Sequence, residues 1–126
     1  PMLKKNKKPS IVNISSLNGK VAMSNNPSYN ASKGGISALT MSQALDFSKY
    51  KIRVNAVSPG YIKTNMTKKS YNNSKEYRKR ISRMMINKYG LPKDIANAVF
   101  FLASENATYI NSTEIVVDGG FLKKGI

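Results

Sequence analysis

The apolar residues of this chain fall into three short, nearly continuous runs. Ile11-Val12-Asn13-Ile14-Ser15 follows Pro9-Ser10, Ile52-Arg53-Val54-Asn55-Ala56-Val57 is broken by Ser58-Pro59-Gly60, and Glu114-Ile115-Val116-Val117-Asp118 is stopped by Gly119-Gly120. Runs this short, rich in branched residues and closed by turn formers, predict buried strands. The stretches between them have helical spacing. Asn26-Pro27 predicts a helix start, with Asn as the cap and Pro at the first helical position. Ile36, Leu39, Leu45 and Phe47 supply apolar positions as far as about Lys49. Gly34 and Gly35 weaken that helix, which makes sense where another backbone passes close. Lys75 to Lys88 predicts a basic helix with Ile81, Met84 and Met85 on one side, the two methionines packed in the core or lining a pocket. Pro92 opens another helix, with Asp94 near its positive end and Ile95, Ala96, Val99, Phe100 and Leu102 as its buried side. It ends near Ser104. Met2 to Asn6 reads as the end of a helix, Ser16 to Asn26 as a loop, and Tyr61 to Asn73 as a loop or short helix.

The order is strand, long helix, strand, helices, strand. Apolar strands separated by helices predict an α/β fold with a parallel sheet covered on both faces. No internal repeat is present. The strands are too few for a complete doubly wound domain, and the chain starts with Pro rather than Met. Residues 1–126 are therefore expected to be the carboxyl-terminal half of a longer domain.

Composition narrows the chemistry. A hydrophobic fraction of 40% in 126 residues supports a core. Cys and His are both absent, which removes disulfides, thiolate or imidazole metal sites and any His-based triad. No metal site is expected, and a reducing cytoplasm is compatible. The longest apolar run, about Ala98 to Ala103, falls far short of the ~20 residues of a membrane span. The basic start lacks the apolar stretch of a signal peptide. The net charge of +15 collects in Lys4, Lys5, Lys7 and Lys8, and again from Lys63 to Lys88. Such a field attracts polyanions, although the abundance of Lys and Asn also fits a merely solvated surface.

The candidate chemistry lies in Tyr29-Asn30-Ala31-Ser32-Lys33. Positions i and i+4 share one helical face, so phenol and ammonium can converge. A cation beside a phenol favours the phenolate and lowers the Tyr pKa, which suits Tyr29 to general acid/base work. Four more segments stand in order around it: Ile11-Val12-Asn13-Ile14-Ser15-Ser16 with Gly19, Ile52 through Val57 with Ser58-Pro59-Gly60-Tyr61-Ile62-Lys63-Thr64, Pro92-Lys93-Asp94-Ile95-Ala96, and Val116-Val117-Asp118-Gly119-Gly120.

With these five segments the chain resembles the short-chain dehydrogenase/reductases, and most fully their 3-oxoacyl-[acyl-carrier-protein] reductases. The resemblance implies the carboxyl-terminal part of a doubly wound, Rossmann-like parallel sheet, without its amino-terminal dinucleotide-binding half. It implies Ser16 as the donor to the substrate carbonyl, with Ser15 left to a structural role. It implies Tyr29 as the proton donor or acceptor, and Lys33 as the residue that holds the nicotinamide ribose. Pro59, Gly60, Ile62 and Thr64 would contact the nicotinamide of NADP or NAD, largely through backbone groups. The chemistry is carbonyl reduction or alcohol oxidation. The Tyr-to-Lys interval favours a carbonyl over a carbon–carbon double bond, since the enoyl reductases of this kind have a longer one.

The resemblance is incomplete. The Gly-rich turn, the residue that reads the adenosine ribose and the family's catalytic Asn are not among these residues, so NAD cannot be told from NADP and the chain alone is expected not to turn over. Ser112 stands where relatives usually carry Gly, so a tight turn there is expected to change. The resemblance further implies acyl carrier protein as a partner, met by Lys7, Lys8, Lys49 and Lys51 at the mouth of the site, a cytoplasmic location and a homotetramer in which Gly34 and Gly35 give close helix contact. Two readings from other classes remain. One is an inactive truncated product. The other is a basic nucleic-acid-binding module, for which Tyr71 and Tyr77 beside the basic run are the support.

Overall fold

Residues 8–124 are described by a computed structural model. The expected helix end at Met2 to Asn6, and Lys7, lie outside the described residues. The three strands form where the apolar runs predict them: β1 at Ser10–Ile14, β2 at Arg53–Pro59 and β3 at Glu114–Val117. They make one parallel sheet in the order β1-β2-β3, with Ile11 beside Val54 and Val57 beside Ile115. Four helices join them: α1 at Pro27–Ser48, α2 at Lys68–Asn72, α3 at Ser74–Ile81 and α4 at Pro92–Ala103.

Successive strand side chains point to opposite faces, and both faces are covered. On one side Ile52 and Val54 pack with Ala44 of α1, and Ile11 and Phe47 close around them. Asn13 on this face donates to Thr40 Oγ1 at 3.0 Å and to Gln43 Oε1 at 3.1 Å. On the other side Arg53 donates to the Leu102 carbonyl at the end of α4 (2.9 Å), and Asn55 to the Ile110 carbonyl (3.0 Å). The central strand β2 is buried from Val54 through Ser58.

Several expectations need correction. Pro59 does not break β2; it ends the strand paired with Val117, and the break falls at Gly60. The last β1–β2 pair is Ile14 with Val57, so Pro59 is not required to donate towards β1. Asn26 takes the cap position of α1 without a side-chain cap bond; its amide turns back to the Ser24 carbonyl. The basic stretch stays helical only to Ile81. Beyond it the chain turns in, burying Met84 and leaving Met85 exposed. Phe100, expected on the buried side of α4, is 76% exposed, as is Leu45 on α1. Gly35 has nothing within 4 Å of where a Cβ would stand, and Gly34 only an ordinary contact with Gly19. The close approach on α1 is made from the other side. A Cβ on Gly19 would lie 2.8 Å from the Lys33 carbonyl oxygen.

The turn before β3 holds Ser112 in a strained backbone conformation. Ser112 adopts φ 56°, in the left-handed region, and its N–H donates to Val54 O at 2.9 Å. No helix among the described residues is long and apolar enough to cross a membrane.

Candidate active site

Parallel strands end together, so the loops after β1 and β2 meet at one edge of the sheet. The helix that follows β1 must start there and return to the far end to reach β2. This places the first turns of α1, and with them Tyr29 and Lys33, beside Ser16 and the Pro59-Gly60 turn. A single open cleft at this edge is lined by Ser16, Tyr29, Lys33, Pro59, Gly60, Ile62 and Thr64. The residues expected to carry the proton transfer and the nicotinamide contacts therefore line one cleft.

Tyr29 is 41% exposed, with its ring open to the cleft. Lys33 Nζ lies 5.6 Å from the Tyr29 ring centroid and donates to the Ile14 carbonyl at 3.1 Å. One bond thus ties the ammonium to the end of β1. Both neighbouring serines line the cleft, but they bond differently. Ser15 is 2% exposed and donates to the Lys33 carbonyl at 3.0 Å. It belongs to the join between β1 and α1. Ser16, also buried, faces the cleft. Its Oγ accepts from Asn18 N–H at 3.3 Å and bonds weakly to Asn18 Oδ1 at 3.4 Å.

The floor of the cleft is braced from below. Ser58 Oγ reaches the Ser16 carbonyl at 3.2 Å and makes a short hydrogen bond to the Glu114 carboxylate. The opposite Glu114 oxygen pairs with Lys20 Nζ at 2.9 Å. Burial alone would raise the Glu114 pKa. Hydrogen bonds from Ser58, Lys20 and Ser37 and the charge of Lys20 outweigh it, and the carboxyl sits below its usual range. Gly60 packs against Asp118: a Cβ there would stand 2.7 Å from Asp118 Cα. Behind it, Gly90 N–H donates to Tyr61 O and Lys63 N–H to Gly90 O, pinning the segment after β2 in place.

Two residues at the cleft escape a reading of the sequence. Asn18 links Ser16 to α1, donating to Asn30 Oδ1 at 2.7 Å; the Asn18-Gly19 turn signal marks a loop but not that bond. Tyr61 begins an aromatic cluster around the buried Tyr89, whose ring stacks on Tyr77 at 5.3 Å and meets Tyr71 edge-on at 6.2 Å. This corrects part of the support for a nucleic-acid module: Tyr77 stacks on the buried Tyr89 and Tyr71 packs edge-on against it, with Lys63 Nζ 6.0 Å from the Tyr71 ring centroid.

The lysines expected at the mouth are corrected as well. Lys7 lies outside the described residues. Lys8 precedes β1 and pairs with Glu105 at 3.0 Å, while Lys49 and Lys51 sit between the end of α1 and the start of β2. All three are at the amino-terminal ends of the strands. Lys49 is ~24 Å along the helix axis from Lys33 at the usual rise.

Comparison with known proteins agrees with the fold. Residues 1–122 match the family described as enoyl-(acyl carrier protein) reductase. The 3-oxoacyl-[acyl-carrier-protein] reductase FabG of Rickettsia felis is 44% identical over 115 residues, 89% of this chain and 46% of that protein. The chain belongs to the short-chain dehydrogenase/reductase family. The crystal structure of a putative 2-deoxy-d-gluconate 3-dehydrogenase from Agrobacterium tumefaciens with bound NADP superposes with a TM-score of 0.91 at 35% identity, covering 98% of this chain and 50% of that one. A 4-hydroxyisoleucine dehydrogenase complexed with NADH gives 0.90 at 36% identity, covering 94% and 49%. The chain spans about half the length of the short-chain dehydrogenase/reductases it matches.

Proposed function

We propose that this chain carries the proton-transfer and substrate-holding half of an NAD(P)-dependent carbonyl reductase or alcohol dehydrogenase, acting on 3-oxoacyl groups like its FabG relatives. The observation that carries the reading is the convergence of Ser16, Tyr29 and Lys33 with the Pro59-Gly60 turn on one cleft. As a carbonyl is reduced, negative charge grows on its oxygen. The Ser16 hydroxyl donates a hydrogen bond to that oxygen, and Tyr29 donates a second and delivers the proton. The Lys33 ammonium then stands where it stabilises the phenolate left behind. Run backwards, the same groups take a proton from an alcohol.

The donor set of the cleft fits the nicotinamide end of a dinucleotide. It offers an ammonium and a phenol for ribose hydroxyls, with a close-packed Pro-Gly turn and the exposed Thr64 hydroxyl beside them. Lys33, Tyr29, Pro59, Gly60, Ile62 and Thr64 would hold it. When bound, the dinucleotide supplies or accepts the hydride. Relatives with NADP and with NADH support either form. Residues 1–126 are read as the carboxyl-terminal half of one domain, and by themselves they do not turn over. Saturable carbonyl reduction by the purified chain overturns that part.

The partner would be acyl carrier protein, met by cations on the cleft side of the sheet such as Lys63, Lys68 and Lys69 in place of the lysines at the far end. The homotetramer of the family is supported by apolar side chains left open on α1 and α4, among them Leu39, Leu45 and Phe100.

The test is to join Pro1 to the amino-terminal half of the Rickettsia felis relative and follow NAD(P)H oxidation. The expected result is turnover with an acetoacetyl thioester and none with a crotonyl thioester, from a species that sediments as a tetramer. Turnover of the crotonyl thioester alone would place the protein with the enoyl reductases instead.

A further inference from the structure

We infer that the cationic hollow beside the cleft anchors a carboxylate or phosphate carried by the substrate. The inference rests on the proposed function and adds the chemical class of the molecule reduced. Glu76, Lys79 and Arg80 share a face of α3, and Arg83, in the turn just beyond the helix, joins them. That face walls a cavity of about 340 Å³. Asn18 and Tyr61 line this cavity and also the cleft that holds Tyr29, so the two spaces adjoin.

The hollow is positive. Three cations, Lys79, Arg80 and Arg83, face it against one carboxylate, Glu76, an excess of two. Glu76 is engaged by Arg80 Nε at 3.5 Å. Lys79 and Arg83 have no carboxylate within ion-pair distance among the described residues. The two guanidiniums are also held in place. Arg80 lies over the Tyr61 ring at 4.8 Å and Arg83 over Phe121 at 4.9 Å, while Tyr61 and Phe121 themselves meet edge-on at 5.5 Å. Stacking fixes the plane of a guanidinium and leaves its N–H edge free for a planar or tetrahedral anion. Lysines scattered over a solvated surface do not have this support. A cavity of this size takes a small anionic group and not a protein helix, so the anion belongs to the substrate itself.

Malonate and inorganic phosphate, titrated separately into the isotope-labelled chain, test this without cofactor or turnover. The expected result is saturable shifts at Asn18, Arg80 and Arg83, weakened ~10-fold by Arg83→Gln through loss of a charge-assisted bond. Lys93→Gln, outside the hollow, should leave the affinity unchanged. Saturation by malonate alone assigns a carboxylate substrate, and by phosphate alone a phosphorylated one. Shifts that rise without saturating, or that Lys93→Gln reduces as much as Arg83→Gln, show only the general field of a basic protein and overturn the inference. Tyr29→Phe should leave the titration unchanged. Loss of the reductase reading with the titration intact, or the reverse, therefore separates the two.

Discussion

Ser112 sits in a backbone conformation that suits glycine. Its φ of 56° brings Cβ towards its own carbonyl, at a cost of ~1–2 kcal/mol for a residue with a side chain. Glycine gives back part of that gain through the greater freedom of the unfolded chain. Ser112→Gly is therefore expected to stabilise the fold by about 0.5–1 kcal/mol, read as a higher denaturant midpoint at constant slope. A lower midpoint would show that the Ser112 side chain contributes something the turn geometry does not reveal. This position was visible in the sequence as a departure from relatives, but its outcome was not. The turn is held from outside by Val54, through a bond no local pattern announces. The pairing of Tyr29 with Lys33 was legible because the two are one helical turn apart, while Ser16 and Gly60, each just beyond a strand, were singled out only through the family resemblance. Asn18 was not, because its role is a contact with Asn30 on the next element.

At the scale of elements, the strands were readable from their apolar runs and the helix ends were less so. The basic stretch stops being helical at Ile81 because the chain there turns towards the end of β3, where Ile86 N–H finds Gly119 O at 2.9 Å. Burial of Met84 decides that turn, and helical spacing carries no sign of it. β2, β3 and the loop after β1 are joined by Glu114, which Ser58 and Lys20 hold ionised. Its folded carboxyl takes up a proton less readily than the unfolded one. The stability this adds is complete above the unfolded value of ~4.3 and is lost as pH falls through the lower folded value. Glu114→Gln is expected to flatten the acid side of the stability profile, measured by urea unfolding between neutral pH and pH 3. An unchanged acid slope would mean the carboxylate contributes nothing through ionisation.

Across the whole molecule, the fold class and the meeting of the cleft residues could be read because a parallel sheet sends every strand end to one edge. The same topology explains the error over Lys8, Lys49 and Lys51. Nearness in sequence to Ser16 and Tyr29 suggested the mouth of the site, yet a helix that returns to the start of the next strand carries its last residues to the opposite end. The basic stretch from Lys75 to Lys88 was visible in the sequence, but only the fold brings Lys79, Arg80 and Arg83 to one hollow beside the cleft. The central reading is that Tyr29 hands over the proton while Ser16 and Lys33 hold the charges around it. Tyr29→Phe, made in the chain joined to its relative's amino-terminal half, tests it most directly. The account predicts a fall in carbonyl reduction of ~10²–10⁴ with dinucleotide binding retained; turnover within a few-fold of the parent would contradict it.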